Sequence, residues 1–281
     1  PHLLNSDGKA WGARRELDEN VADQVMLIAT EKALSKAEGL PGSGLPEQAD
    51  LVPFPKAIYR LMLEHLVRLA QGWVFERQPL PPALLHLLER RSIPELEPLN
   101  ATIRQEPNCT AEALAGFLAQ ADGIGLSLQG PPGTGKTTVT GELIAELVTK
   151  GQRVAVSSNT NEAINNLLLK VQSCLDDHHS SALVVKVASS SSEKADVKAL
   201  AGSRVQALRD KNLPENPAVL GGTIFTLVKE RYDDAPFDLL VIDEAGQVSL
   251  SNLLYLSRVA RNILLVGDQQ HLSQTNRAAH P

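Results

Sequence analysis

Hydrophobic positions follow two different rhythms along the chain, changing near residue 110. Before it, apolar residues recur at helical spacing between breaker clusters. Residues 13–38 place Leu17, Val21, Val25, Ile28 and Leu34 at roughly that spacing, which predicts a helix. The stretch GLPGSGLPEQ (39–48) ends it. Residues 55–71 set Ile58, Leu61, Met62, His65, Leu66 and Leu69 on one side, predicting a second helix that Pro79, Pro81 and Pro82 close off. ALLHLLERR (83–91) reads as a short amphipathic helix, and Pro94, Pro98 and Pro107 read as a linker.

From residue 111 the rhythm alternates. The helical pattern AEALAGFLAQAD leads into an apolar strand at 126–129. Strands are predicted at RVAVSS (153–158), ALVVKVA (182–188), LLVIDE (239–244) and NILLVGD (262–268). Helices are predicted at NEAINNLLLKVQSCL (161–175) and SLSNLLYLSRVA (249–260). Continuous apolar strands between helices imply a parallel sheet covered on both faces. The Ser-rich ASSSSEKAD (188–196) reads as a loop or the start of a surface helix. The expected organisation is a mainly helical N-terminal segment, 1–110, before an α/β domain, 111–281.

Composition narrows the class. The 281 residues are 43% hydrophobic and 21% charged, ordinary for a globular protein able to bury a core. A net charge of −6 excludes a broadly basic nucleic-acid coat, though not a local basic groove. Cys109 and Cys174 are the two cysteines, which excludes a disulfide framework and fits a reducing, cytoplasmic compartment. No apolar run reaches the length of a membrane span, so no membrane association is expected. The first residue is Pro1 rather than Met, and a fragment or processed product is expected.

The densest chemistry lies in LSLQGPPGTGKTTVTGELI (126–144). Gly130, Gly133, Gly135, Lys136 and Thr137 fit G-x-x-x-x-G-K-[ST], between a strand and a helix as that pattern requires. Glycines there admit positive φ and let backbone N–H groups approach an anion, while the following helix points its positive end at the same place. The expected ligand is a nucleoside triphosphate. It would be held by Gly130, Pro131, Pro132, Gly133, Thr134, Gly135, Lys136, Thr137 and Thr138, with Lys136 at the β- and γ-phosphates and Thr137 on Mg²⁺. FDLLVIDEAGQ (237–247) ends a strand on Asp243 and Glu244, where ligands of open α/β sheets bind. Asp243 is expected to hold Mg²⁺ and Glu244 to activate a water. Asp243 to Gly246 also fits D-x-x-G, but no N-K-x-D guanine-reading pattern occurs, so ATP is the expected nucleotide.

Taken together, QGPPGTGKTT, VAVSSNTNEAINNLL, GGTIFTL, FDLLVIDEAGQ and NILLVGDQQHL resemble successive motifs of superfamily 1 helicases. The branch is the one containing the nonsense-mediated-decay helicase and the replication nuclease-helicase. Within it the chain is most similar to bacterial proteins that join a RecB-like nuclease to such a motor. The resemblance covers residues 83–281, most strongly from 126. It implies a P-loop NTPase of RecA-like fold, the first motor domain of an ATP-dependent helicase. SSNTNEAIN (157–165) then matches the segment that contacts single-stranded DNA or RNA, giving Ser157, Ser158, Asn159, Thr160 and Asn161 as donors to phosphate. Capping of the 161–175 helix by Asn159 or Thr160 is the competing explanation for those residues. Thr223, with Thr226, matches a further strand-contacting segment. Gly267 and Asp268 match the motif coupling the γ-phosphate to the strand.

The chain departs from the family in places. His271 stands where the family usually has Gln, with Gln269 or Gln270 as substitutes, and no adenine-reading glutamine motif lies at the right spacing. The family's second motor domain, which supplies an arginine to the transferring phosphoryl group, would follow residue 281. A nuclease domain would precede residue 1. The resemblance implies travel from 5′ to 3′. Two other readings stand beside the motor: a nucleotide-binding regulatory or scaffold module that has lost unwinding, and a DNA-repair ATPase that does not unwind.

Overall fold

A computed structural model of the chain describes residues 57–77, 79–189, 192–227 and 237–268, together with short strands between residues 2 and 52. The chain divides into two compact units, 1–60 and 61–281. In the first unit, β1 (His2–Leu4) pairs antiparallel with β2 (Ala10–Trp11) and with β5 (Leu51–Val52). A second antiparallel pair joins β3 (Ala13–Glu16) to β4 (Met26–Ala29), with Ala13 opposite Ala29 and Glu16 opposite Met26.

These strands correct the helix expected over residues 13–38. Met26–Ala29 is a continuous apolar run, and such a run does not distinguish helix from strand by its period. Its partner, thirteen positions upstream, decides the matter, because tertiary pairing overrides a weak helix propensity. Within residues 1–110, the described helices include Ala57–Phe75, Pro82–Leu88 and Leu96–Gln105.

Helix α1 (Ala57–Phe75), most of which lies in the second unit, continues the pattern read at 55–71. Then come α2 (Pro82–Leu88), α3 (Leu96–Gln105) and α4 (Thr110–Leu118). Pro98, read as linker, is instead the third residue of α3, a position whose N–H needs no helical acceptor. Ala83 and Leu84 of α2 are buried, so this helix belongs to the core rather than to a spacer.

Seven strands form one all-parallel sheet: β6 (Gly125–Gln129), β7 (Val154–Ser157), β8 (Val184–Ala188), β9 (Gln206–Arg209), β10 (Val219–Gly221), β11 (Phe237–Ile242) and β12 (Ala260–Gly267). Their spatial order is β6-β12-β11-β7-β10-β8-β9. The connecting helices are α5 (Lys136–Thr149), α6 (Asn161–Asp177), α7 (Glu193–Ala199), α8 (Ile224–Leu227) and α9 (Leu250–Leu256). Leu239 and Val241 of β11 join a cluster with Ala115, Leu143, Ile144, Leu147, Leu167 and Leu168 from α4, α5 and α6. Leu240 and Ile242, equally buried, point to the other face by the period of two. This is the α/β, RecA-like sheet with helices on both faces. Among the described residues, no helix is long and apolar enough to cross a membrane.

The helices sit close enough that glycine decides one contact. A Cβ on Gly221 of β10 would stand 2.5 Å from Leu168 Cδ1 and 2.9 Å from Ile164 Cγ2. Gly221→Ala therefore forces the Leu168 and Ile164 side chains of α6 to give way. It is expected to destabilise the protein by roughly 1–3 kcal/mol, read from the denaturation midpoint.

Candidate functional site

The turn between β6 and α5 is shaped by its glycines. Gly133 and Gly135 have φ of 78° and 83°, and a Cβ on either would meet nothing within 4 Å. Backbone conformation, not crowding, demands glycine there. Gly130 is different, since its Cβ would stand 2.7 Å from Thr134 Oγ1, which donates to Pro131 O at 2.7 Å. The first N–H of α5 with a helical acceptor is that of Val139, on Gly135 O at 3.0 Å. The N–H groups of Lys136, Thr137 and Thr138 lie at the positive end of a 14-residue helix, beside open space. Lys136 Nζ folds back to donate to Gly130 O at 2.6 Å and Pro131 O at 2.9 Å. Backbone donors, an ammonium group and room above them suit a polyanion.

Sheet register brings acidic groups to this turn. β12 lies between β6 and β11, with Gly267 beside Gln129 and Leu265 beside Ile242. Gly130 N donates to Gly267 O at 3.3 Å. A Cβ on Gly267 would stand 3.4 Å from the N atoms of Ala245 and Gly246, and one on Gly246 would stand 3.3 Å from Asp268 O. The loops at 130, 245–246 and 267–268 therefore abut. Asp243 N donates to Ser157 O at 2.9 Å, and Asp243 Oδ1 accepts from Glu244 N at 3.0 Å. Burial pushes the Asp243 carboxyl above its ordinary range. The Glu244 N–H opposes that shift, the Glu244 charge adds to it, and the Lys136 ammonium opposes it. Glu244 adopts φ 53° and ψ 41°, an uncommon backbone for a residue with a side chain, and leads into a 3₁₀ turn, Ala245–Gln247.

Among the described residues, no group of three or more His, Cys, Asp or Glu is placed to hold a metal by itself. The available donors are a hydroxyl at Thr137, in the first turn of α5, and a desolvated carboxylate at Asp243, one residue past the end of β11. That set fits a hard cation which keeps waters and takes phosphate oxygens, and it does not make an all-protein cage.

The segment after β7 is more occupied than its sequence suggests. Ser158, expected among the strand contacts, is fully buried: it continues a strand that is itself enclosed on both faces, and its hydroxyl has no partner among the described residues. Asn159 Nδ2 donates to Gln247 O at 2.7 Å. Thr160 caps α6, its Oγ1 accepting from Ala163 N at 3.2 Å. Asn161 Oδ1 accepts from Lys186 Nζ at 2.8 Å, which leaves its Nδ2 donors for other partners. Thr223 and Thr226 pair through their hydroxyls at 2.9 Å. Gln269, Gln270 and His271 lie outside the described residues.

Sequence reasoning missed Lys186. It is fully buried inside β8, where burial pulls its ammonium below the usual lysine range and Asp196 opposes the shift. Lys186 Nζ stands 3.9 Å from Asp196 Oδ2 and donates to Val187 O at 3.1 Å. Asp196 in turn accepts from Asn165 Nδ2 at 3.0 Å and Ser192 Oγ at 2.7 Å. The signal was a lone lysine inside the apolar run ALVVKVA. This network ties the start of α6 to β8 and α7.

Comparison with known proteins follows the same lines. A family described as an AAA domain matches residues 110–279. The chain is 29% identical over 147 residues to the DNA replication ATP-dependent helicase/nuclease dna2 of Schizosaccharomyces pombe, covering 51% of this chain and 10% of that protein. It is 31% identical over 147 residues to DNA2, the helicase/nuclease of the same description in Saccharomyces cerevisiae, covering 51% and 9%. It is 26% identical over 234 residues to the RecBCD enzyme subunit RecD of Mycobacterium tuberculosis, covering 79% and 36%. The chain thus spans about a tenth of the length of the first two relatives.

Two outcomes are expected. The raised Asp243 carboxyl means the native state holds its proton more tightly than the unfolded state does. Stability therefore falls as pH rises from the ordinary value of 3.8 through the folded one, and the full penalty stands at neutral pH. Asp243→Asn is expected to raise the melting temperature of the ligand-free protein at pH 7, a gain that disappears below pH 3.8. Asp196→Ala leaves the Lys186 ammonium buried without its partner and is expected to cost roughly 3–5 kcal/mol in a denaturation curve.

Proposed function

We propose that this chain, which belongs to the AAA domain family and is a RecA-like domain of a superfamily 1 helicase, binds ATP with Mg²⁺ and hydrolyses it to drive movement along single-stranded DNA or RNA. The observation that carries this reading is the meeting of the Gly130–Lys136 turn with Asp243 and Glu244 across one intervening strand. The motor is taken to occupy residues 111–281, with a second motor domain, and a nuclease domain as in the relatives named helicase/nuclease, contributed by the same polypeptide.

In this reading the N–H groups at the start of α5 and the Lys136 ammonium bind the β- and γ-phosphates. Lys136 exchanges its loop carbonyls for phosphate oxygens. The Thr137 hydroxyl and the Asp243 carboxylate hold the cation. The bound magnesium nucleotide supplies the phosphoanhydride and the charge that offsets its oxygens. Glu244 orients a water and takes its proton at the carboxylate. Gly267 and Asp268 line the far side of the turn. The Asn159, Thr160, Asn161 and Thr223 side chains donate to the backbone of a single strand at the carboxyl edge of the sheet.

Lys136→Ala is expected to weaken nucleotide binding at least tenfold by fluorescent-ATP titration, and an unchanged affinity would sink the reading. Glu244→Gln is expected to keep ATP affinity while lowering turnover by about 10²–10⁴. Strand-stimulated turnover of the full-length protein supports the motor over a scaffold, and turnover indifferent to single strands refutes it.

A further inference from the structure

The end of β7 holds the five-residue segment Asp243–Gln247 at both of its ends. At the near end, Asp243 N donates to Ser157 O at 2.9 Å. At the far end, Asn159 Nδ2 donates to Gln247 O at 2.7 Å, across 88 positions of sequence. Between these tethers lies Glu244, in the left-handed region, followed by the turn closed by Gln247 N on Glu244 O and Val248 N on Ala245 O, each at 3.0 Å. A side-chain-bearing residue persists in that conformation when its surroundings over-determine it. The opposite side of the turn rests on Gly267 and Asp268 through close backbone approach. Asn159 immediately precedes Thr160, which caps α6, and Asn161, whose amide is anchored by Lys186. One amide hydrogen bond thus joins this segment to the turn that follows Glu244.

We infer that Asn159 is a positioning residue: its amide holds the Ala245–Gln247 turn, and through it Glu244, so that occupancy of the strand-contacting segment sets the hydrolytic geometry. The inference rests on the reading of Glu244 as the water-activating group and of 158–161 as a strand contact. It assigns Asn159 a task that strand contact or helix capping does not require. Capping needs an acceptor, and Thr160 supplies it. The bond to Gln247 O needs a donor, which an amide has and a carboxylate lacks.

That difference supplies the test, on the full-length protein. Turnover is measured with and without saturating oligothymidylate, alongside ATP affinity and oligonucleotide affinity, for wild type, Asn159→Asp and Asn159→Gln. Aspartate has the size of asparagine and suits the start of a helix, but it sets a carboxylate against the Gln247 carbonyl. Asn159→Asp is expected to lower strand-stimulated kcat tenfold or more, leave KM for ATP within twofold, and bring the stimulation factor toward one. Asn159→Gln, which keeps the donor on a longer stem, is expected to retain more of both. Stimulation is a ratio within one preparation, so it is independent of the folded fraction. Wild-type kcat and stimulation in Asn159→Asp would overturn the inference. So would a loss confined to strand affinity with full stimulation at saturation, which makes Asn159 a strand contact alone. Absence of turnover in the wild type would remove the proposed function itself, and is seen before any variant is read.

Discussion

Parallel pairing of β11 with β7 on one side and β12 on the other is the constraint from which the site follows. Ile242 lies beside Ser157 and beside Leu265, and Gly267 lies beside Gln129. In an all-parallel sheet the carboxyl ends emerge along one edge, so segments more than a hundred positions apart arrive together there. A slip of one residue would turn Leu239 and Val241 away from the α4–α5–α6 core and carry Asp243 off its bond to Ser157. Burial on both faces of β11 opposes that slip. The hydrophobic core thus sets the distance between the phosphate-type turn and the acidic pair.

The same edge concentrates groups that a stable fold would avoid. The Asp243 carboxyl is desolvated, Glu244 sits in a left-handed conformation, and the Ser157 and Ser158 hydroxyls are buried without partners among the described residues. Lys136 finds acceptors in its own turn, which an arriving anion can replace. Each such feature costs stability and persists only because its surroundings over-determine it. The Lys186–Asp196 pair shows the contrast. It is just as buried, yet it is enclosed by Asn161, Asn165, Ser192 and a backbone carbonyl, and so it reads as architecture.

Much of this was legible from residue order. The turn at 130–137 announces itself because positive φ at Gly133 and Gly135 demands a residue without Cβ. The buried strands announce themselves as unbroken apolar runs, because helices cover both faces and no polar side is needed. The N-terminal strands were not legible. A four-residue run such as Met26–Ala29 carries too little periodicity to mark a strand, and its pairing with Ala13–Glu16 is set by contact rather than by period. Pro98 reads as a break in the sequence yet sits in the first turn of α3, because a proline's effect depends on its place in the helix.

By itself, then, the sequence determined five of the seven sheet strands, all but the short β9 and β10, together with the glycine-rich turn and the acidic strand end, because each rests on a local steric or solvation rule. Tertiary structure alone decided the strand order that sets β12 between β6 and β11, the enclosure of Ser158 and Lys186, and the amide bridge from Asn159 to Gln247. Those depend on which segments meet in space, and a bond such as that from Asn159 to Gln247, across 88 positions, leaves no mark on the residues that lie between.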